Sequence, residues 1–263
     1  MTSLFETYPG GKGGCFRQII NLMPPHTVYI EPFLGGGAVL RHKLAAKHSI
    51  GIDLDLDVIE RWRSSSFTPD LARVATAAHA RNGVFAGCID DHAKSDVTSC
   101  GYVHANAIEW LEQSNLRNTA LIYADPTYLE CTRRQPLGMY KHEMSDDDHV
   151  RLLNVLNKQR CMVLLSGYWS ELYADMLVGW DSAEFTTTDR GGNVRTETLW
   201  ANYVPPPKQL HDSRYYGGGW RERQRVRRKA KRWVDGLLRL PDLERQAILD
   251  QMRAAKLIEP RHK

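Results

Sequence analysis

Through the first two hundred residues, short runs of β-branched and aromatic residues alternate with segments whose apolar residues recur every three or four positions. No other feature constrains the fold as strongly. VYIEPF (28–33), SIGIDL (49–54), YVHAN (102–106), ALIYAD (120–125), CMVLLSG (161–167), EFTTT (184–188) and TLWANYV (198–204) read as strands. AVLRHKLAAK, AIEWLEQS, DDDHVRLLNVLNKQ and WSELYADML, between them, read as helices. Such alternation predicts an α/β fold with a mostly parallel sheet covered on both faces.

Residues 64–101 fit the alternation poorly and read as a short insertion, with one helix expected over Pro69 to Ala80. VPPPK (204–208) ends the first domain at residue 204, and YYGGGW (215–220) marks residues 205–219 as a linker. Residues 220–263 read as two helices, with Pro241 suited to the start of the second. Charge divides the same way: residues 1–204 carry a net −5, and the segment from Pro205 onward carries a net +9. A basic appendage on an acidic domain suits nucleic acid or an acidic partner.

The five cysteines are odd in number and never in a CxxC pair, which argues against a disulfide framework or structural zinc site. No apolar run reaches the ~18 residues of a membrane span, and the N-terminus lacks a signal peptide's apolar stretch. A cytoplasmic protein without membrane contact is expected.

Three strand ends carry candidate chemistry. In YIEPFLGGGAVL (29–40) a strand runs into three glycines and then a helix, so the backbone can approach a ligand closely. Leu40 stands where a dinucleotide fingerprint needs its third glycine, and Glu31 adds negative charge, so the turn suits a cationic ligand or serves only as a tight connection. In GIDLD (51–55), Asp53 is placed to accept hydrogen bonds from the two hydroxyls of a ribose, while Asp55 and Asp57 suit helix capping or solvent. In ADPTYL (124–129), Asp125 and the Pro126 carbonyl can both accept from one amino group, beside an exposed-looking Tyr128. Together these describe a pocket for the exocyclic amine of a nucleobase; singly, each also fits a strand-ending turn.

Taken in order, these motifs resemble the Dam-type (alpha-class) DNA adenine methyltransferases, which use S-adenosylmethionine. The resemblance spans roughly residues 7–204. It rests on Tyr8, Gly10, Gly11 and Lys12 for an aromatic-x-Gly-Gly-Lys element; Phe33, Gly35 and Gly37 for a Phe-x-Gly-x-Gly loop; and Asp53 for the ribose-binding acid. Asp125, Pro126 and Tyr128 match a catalytic Asp-Pro-Pro-Tyr, with Thr127 replacing the second proline. Ser166 and Tyr168, and the strand from Arg195 to Tyr203, match later landmarks. The Thr127 departure loosens the expected rigidity of the catalytic turn, and the short insertion between Asp53 and Asp125 implies low sequence specificity.

The resemblance implies a Rossmann-like methyltransferase fold and methyl transfer to the adenine amino group of DNA, with no metal required. Asp125, Pro126 and Tyr128 would be catalytic. Tyr8, Lys12, Phe33, Gly35, Gly37, Asp53 and Asn106 would bind the cofactor, Asn106 serving equally well as a helix N-cap. The adenine would be flipped from a duplex or already single-stranded. Arg225, Arg228, Lys229 and Arg232, in the run at 221–232, are candidate phosphate contacts, against the alternatives of a solvated helix face or a protein partner. The rival readings are an RNA or protein amide methyltransferase, and a catalytically inactive nucleic-acid-binding relative.

Overall fold

The computed structural model describes residues 10–65, 67, 99–133, 141–188, 194–205, 207–255 and 257. Tyr8, the expected helix at 69–80 and most of the insertion at 64–101 lie outside the described residues. The chain divides into two compact units, residues 1–214 and 215–263.

Among the described residues, unit 1 has seven strands: β1 (Val28–Glu31), β2 (His48–Asp53), β3 (Ser99–His104), β4 (Ala120–Ala124), β5 (Met162–Gly167), β6 (Asp181–Thr188) and β7 (Val194–Ala201). They form one sheet in the order β3-β2-β1-β4-β5-β7-β6. β3, β2, β1, β4 and β5 run parallel, while β7 pairs antiparallel with β5 and with β6. This is the expected Rossmann-like α/β sheet, with every predicted strand present.

Its helices are α1 (Phe16–Ile20), α2 (Ala38–His42), α3 (Leu56–Ser64), α4 (Ala107–Gln113), α5 (Asp146–Asn157) and α6 (Glu171–Met176). Unit 2 contributes α7 (Trp220–Leu238) and α8 (Asp242–Ala254). Among the described residues, no helix is long and apolar enough to cross a membrane.

The sequence explains the strand order. β4, ALIYA, is apolar at every position and wholly buried, as a central strand covered on both faces must be. At the edge, β3 carries Ser99, Gly101 and His104 and stays partly exposed. The core packs Ile30, Ile50, Ile122, Val163 and Leu165 against Ile108, Leu111, Leu152 and Leu156 of the covering helices. Ser145 and Asp148 close a capping box at the start of α5, which fixes where DDDHVRLL turns helical.

Two segments differ from expectation. The helix read over AVLRHKLAAK stops at His42, because Lys43 adopts extended backbone (ψ 158°) and buries its ammonium 4.3 Å from the Tyr29 ring centroid. Residues 207–214, read as linker, are instead held on unit 1. Asp212, 1% exposed, accepts the Leu44 N–H at 2.8 Å and pairs with Arg214 at 2.8 Å. His211 donates its backbone N–H to Met23 O and stacks on His26, with ring centroids 3.8 Å apart. Burial first, then the nearby Lys43 ammonium, pushes the His211 imidazole down to about 4. It is therefore neutral: Nδ1 accepts the His26 N–H, and Nε2 donates to Leu44 O at 3.0 Å.

Candidate active site

Strand order reverses beside β1, which pairs with β2 on one side and β4 on the other; ligands of open α/β sheets bind at the carboxyl edge of such a point. A cleft with a cavity volume of about 170 Å³ opens there. It is lined by Lys12, Glu31 to Ala38, Asp53, Asn106 and Asp125 to Tyr128, and walled by His142 to Met144. The structure thus brings together Lys12, Phe33, Gly35, Gly37, Asp53, Asn106, Asp125, Pro126 and Tyr128.

The first wall is the glycine loop after β1. Gly35 and Gly37 have φ of 44° and 52°, left-handed values that favour glycine. Gly37 is doubly constrained, since a Cβ there would lie 2.3 Å from Trp62 Cζ2. Trp62, buried on α3, donates its indole N–H to Gly35 O at 2.9 Å and so carries the loop. Asp53 ties the loop from the other side, accepting the N–H of Gly35 (2.8 Å) and that of Asp55 (2.9 Å) on separate oxygens. A carboxylate offers about four lone-pair sites, so capacity remains for a ligand hydroxyl on each oxygen.

Asn106 accepts the backbone N–H groups of Ile108 and Glu109 and caps α4, while still lining the cleft. Asp55 caps α3, and Lys141 bridges Asp55 and Asp57, both at 2.8 Å.

Asp125 ends β4. Its Oδ1 accepts from Ser166 Oγ at 2.8 Å and from the Lys12 ammonium at 2.8 Å. Its Oδ2 accepts no hydrogen bond among the described residues, and the side chain remains 17% exposed toward the cleft. Lys12, 4% exposed, also donates to the Tyr128 hydroxyl at 2.5 Å and lies 3.7 Å from Glu197. Burial alone would push this ammonium's pKa down; Asp125 and its neighbours outweigh that and hold it well above the ordinary value, so the group stays charged.

Tyr128 departs from the exposed position expected of it: it is 8% exposed, with its hydroxyl on Lys12 and its ring edge-on to Tyr168 at 4.5 Å between centroids. Burial raises its pKa well above the usual phenol, which keeps it neutral. Thr127, which stands where the Asp-Pro-Pro-Tyr pattern has its second proline, accepts the Met144 N–H at 3.2 Å, and Arg133 donates to Tyr128 O. These ties brace the turn from outside where a second proline would have stiffened it from within.

Glu197, which belongs to the strand landmark from Arg195 to Tyr203, carried no expected role in the site. It lies on the reversed strand β7, 6% exposed, and its carboxyl is raised by burial against the pull of Lys12. A charged residue flanking the apolar run TLWA in a strand was the available signal. Glu31, beneath the glycine loop, accepts from Tyr29 Oη at 2.7 Å and Leu40 N at 3.1 Å on one oxygen. Burial pushes its carboxyl up to about 8.

Among the described residues, five carboxyl groups, Glu31, Asp53, Asp125, Glu143 and Asp148, thus line the cleft against one lysine already paired. Such a lining repels phosphate and favours a cationic ligand, and two of its carboxyl groups have raised pKa values that a cation would restore. The residues present fit a sulfonium-bearing nucleoside.

No curated protein sequence matches the chain. Among solved structures it is similar to a putative methylase from Haemophilus influenzae (11% identity, covering 72% of this chain and 86% of that one, TM-score 0.39). It is also similar to a putative methyltransferase from Escherichia coli (14% identity, 66% and 74%, TM-score 0.37). A third is a dimethyladenosine transferase from Plasmodium falciparum (11% identity, 71% and 60%, TM-score 0.39). In sequence, residues 8–75, the stretch that carries Lys12, the glycine loop and Asp53, match the family of D12 class N6 adenine-specific DNA methyltransferases.

Proposed function

We propose that the protein transfers a methyl group from S-adenosylmethionine to the exocyclic amino group of adenine in DNA. The observation that carries this reading is the asymmetry of Asp125: Oδ1 is held by Ser166 and Lys12, and Oδ2 is left open at the cleft. When bound, S-adenosylmethionine supplies an electrophilic methyl group on a positively charged sulfur. Asp53 would hold its ribose hydroxyls, Phe33 and the bare backbone at Gly35 and Gly37 would pack on it, and Asn106 would border its base.

An adenine amino group is a weak nucleophile because its lone pair is delocalised into the ring. Oδ2 of Asp125 accepting one N–H, and the Pro126 carbonyl accepting the other, favour a pyramidal nitrogen with its lone pair free. A carboxylate fixed at one oxygen cannot rotate away, so the open oxygen presents a set direction to the amine. Lys12 stands 2.8 Å from Asp125 Oδ1 and helps fix the carboxylate in place, and Tyr128, neutral and edge-on to Tyr168, forms part of the cleft wall beside the base.

The test is transfer of labelled methyl to duplex DNA, single-stranded DNA, RNA and protein in parallel, with Asp125→Asn as control. Label should appear on adenine N6 in DNA, and the variant should lose ~100-fold or more in rate while still binding the methyl donor. Label in RNA or protein alone, or donor binding without any transfer, would overturn the reading.

A further inference from the structure

α7 carries eight Lys/Arg and two acidic residues over its 19 positions, and none of its residues is buried. At ~100° per residue, the basic residues are not spread evenly. Arg221, Arg225, Arg228 and Arg232 follow one another at intervals of four, three and four on one face, with Lys229 beside them. All five are exposed. Arg225 has only a long 3.4 Å contact with Glu222, and Arg221, Arg228, Lys229 and Arg232 have no acidic partner among the described residues. Val226, Ala230, Trp233 and Leu237 fall on the opposite face.

A row of four guanidinium groups, one helical turn apart over about 16 Å, three of them without an acidic partner among the described residues and the fourth only loosely paired, can take anions at several successive points. Arginine presents a planar fork that engages phosphate oxygens in pairs, and the face is arginine in four of five positions. Arg223 and Arg227 interrupt the apolar side of the helix, which disfavours a bilayer surface, where that side would have to be continuous. A carboxylate-rich protein surface would meet the charge but not the regular spacing.

We propose that this face of α7 docks on the phosphate backbone of duplex DNA, anchoring the protein independently of base sequence. The inference rests on the reading of DNA as substrate, but it concerns a surface separate from the cleft. If each of the five residues neutralises one phosphate, together they contribute about −4.5 to the slope of log affinity against log salt, or about 500-fold between 50 and 200 mM.

The experiment compares the full-length protein with the variant R221Q/R225Q/R228Q/K229Q/R232Q on a duplex made only of G·C pairs, which offers no adenine amino group, across that salt range. Glutamine is a comparably good helix former, and circular dichroism and methyl-donor binding verify that the variant is folded. A slope shallower by about 4 units, with weaker binding at low salt, is the expected result. Equal slopes and affinities would overturn the proposal. So would substitutions that abolish binding to phosphatidylserine-containing vesicles and leave duplex binding intact. Because the G·C duplex tests docking alone, failure of methyl transfer to DNA would be seen separately.

Discussion

Replacing Glu31 with glutamine should remove about 2.5 kcal/mol of pH-dependent stability between pH 5 and pH 7. Burial lifts this carboxyl from 4.5 to about 8, so the folded protein keeps a proton that the unfolded chain releases. Its contribution therefore falls as pH rises from about 4.5 to about 8. At ~1.36 kcal/mol per unit, a folded value one unit lower would still give about 2 kcal/mol over the same interval. Glutamine matches the protonated acid in shape, can accept the Tyr29 and Leu40 hydrogen bonds, and does not titrate. Lys43, pushed down to about 7 by burial, acts with the opposite sign, its effect growing as pH climbs from about 7 toward 10.5, mostly above the chosen window. The assay is urea unfolding of both proteins at pH 5, 6 and 7. The wild type should gain on the variant at pH 5 and lose that gain by pH 7. A stability difference constant across the three values would refute the assignment of a proton to Glu31.

Gly37→Ala should lower stability by roughly 2–4 kcal/mol, combining a left-handed backbone with a Cβ driven into Trp62, measured by thermal unfolding. Ser166→Ala removes one of two groups holding Asp125 Oδ1; kcat should fall ~10- to 100-fold, with donor affinity unchanged, and an unaltered kcat would show that Lys12 holds the carboxylate alone. Lys12→Met leaves Asp125 and Glu197 without their shared cation and should cost about 3–5 kcal/mol near neutral pH. That deficit should shrink toward acid as Glu197, whose carboxyl burial already pushes up, takes up a proton, readable from denaturation midpoints at pH 4 and pH 7.

The sheet and its site edge were legible because both follow local rules. A short unbroken apolar run rich in β-formers such as ALIYA, bounded by turn residues, fits a central strand, and an Asp or Gly-rich turn at the end of such a strand falls at the ligand-binding edge. What sequence could not provide was the pairing of distant charges. Glu197 meets Lys12 because β7 runs antiparallel to β5 with Thr198 opposite Gly167, a register set by tertiary packing. Tyr128 looked exposed because its tie to Lys12, 116 residues away, leaves no local trace. Asp55, by contrast, caps α3 through a contact two residues on, and that role was readable.

The strap formed by His211, Asp212 and Arg214 bears on where the chain can be cut. A fragment ending at Val204, where the prolines invite a boundary, would strip the Leu44 N–H of its carboxylate and Met23 O of its donor, and would uncover the His26 ring. Lys43 would lose the Asp212 carboxylate, one of the charges that oppose the downward push of burial on its ammonium. A fragment that keeps these ties therefore runs through Arg214, and a shorter one would lose contacts outside the cleft while every residue of the cleft is still present.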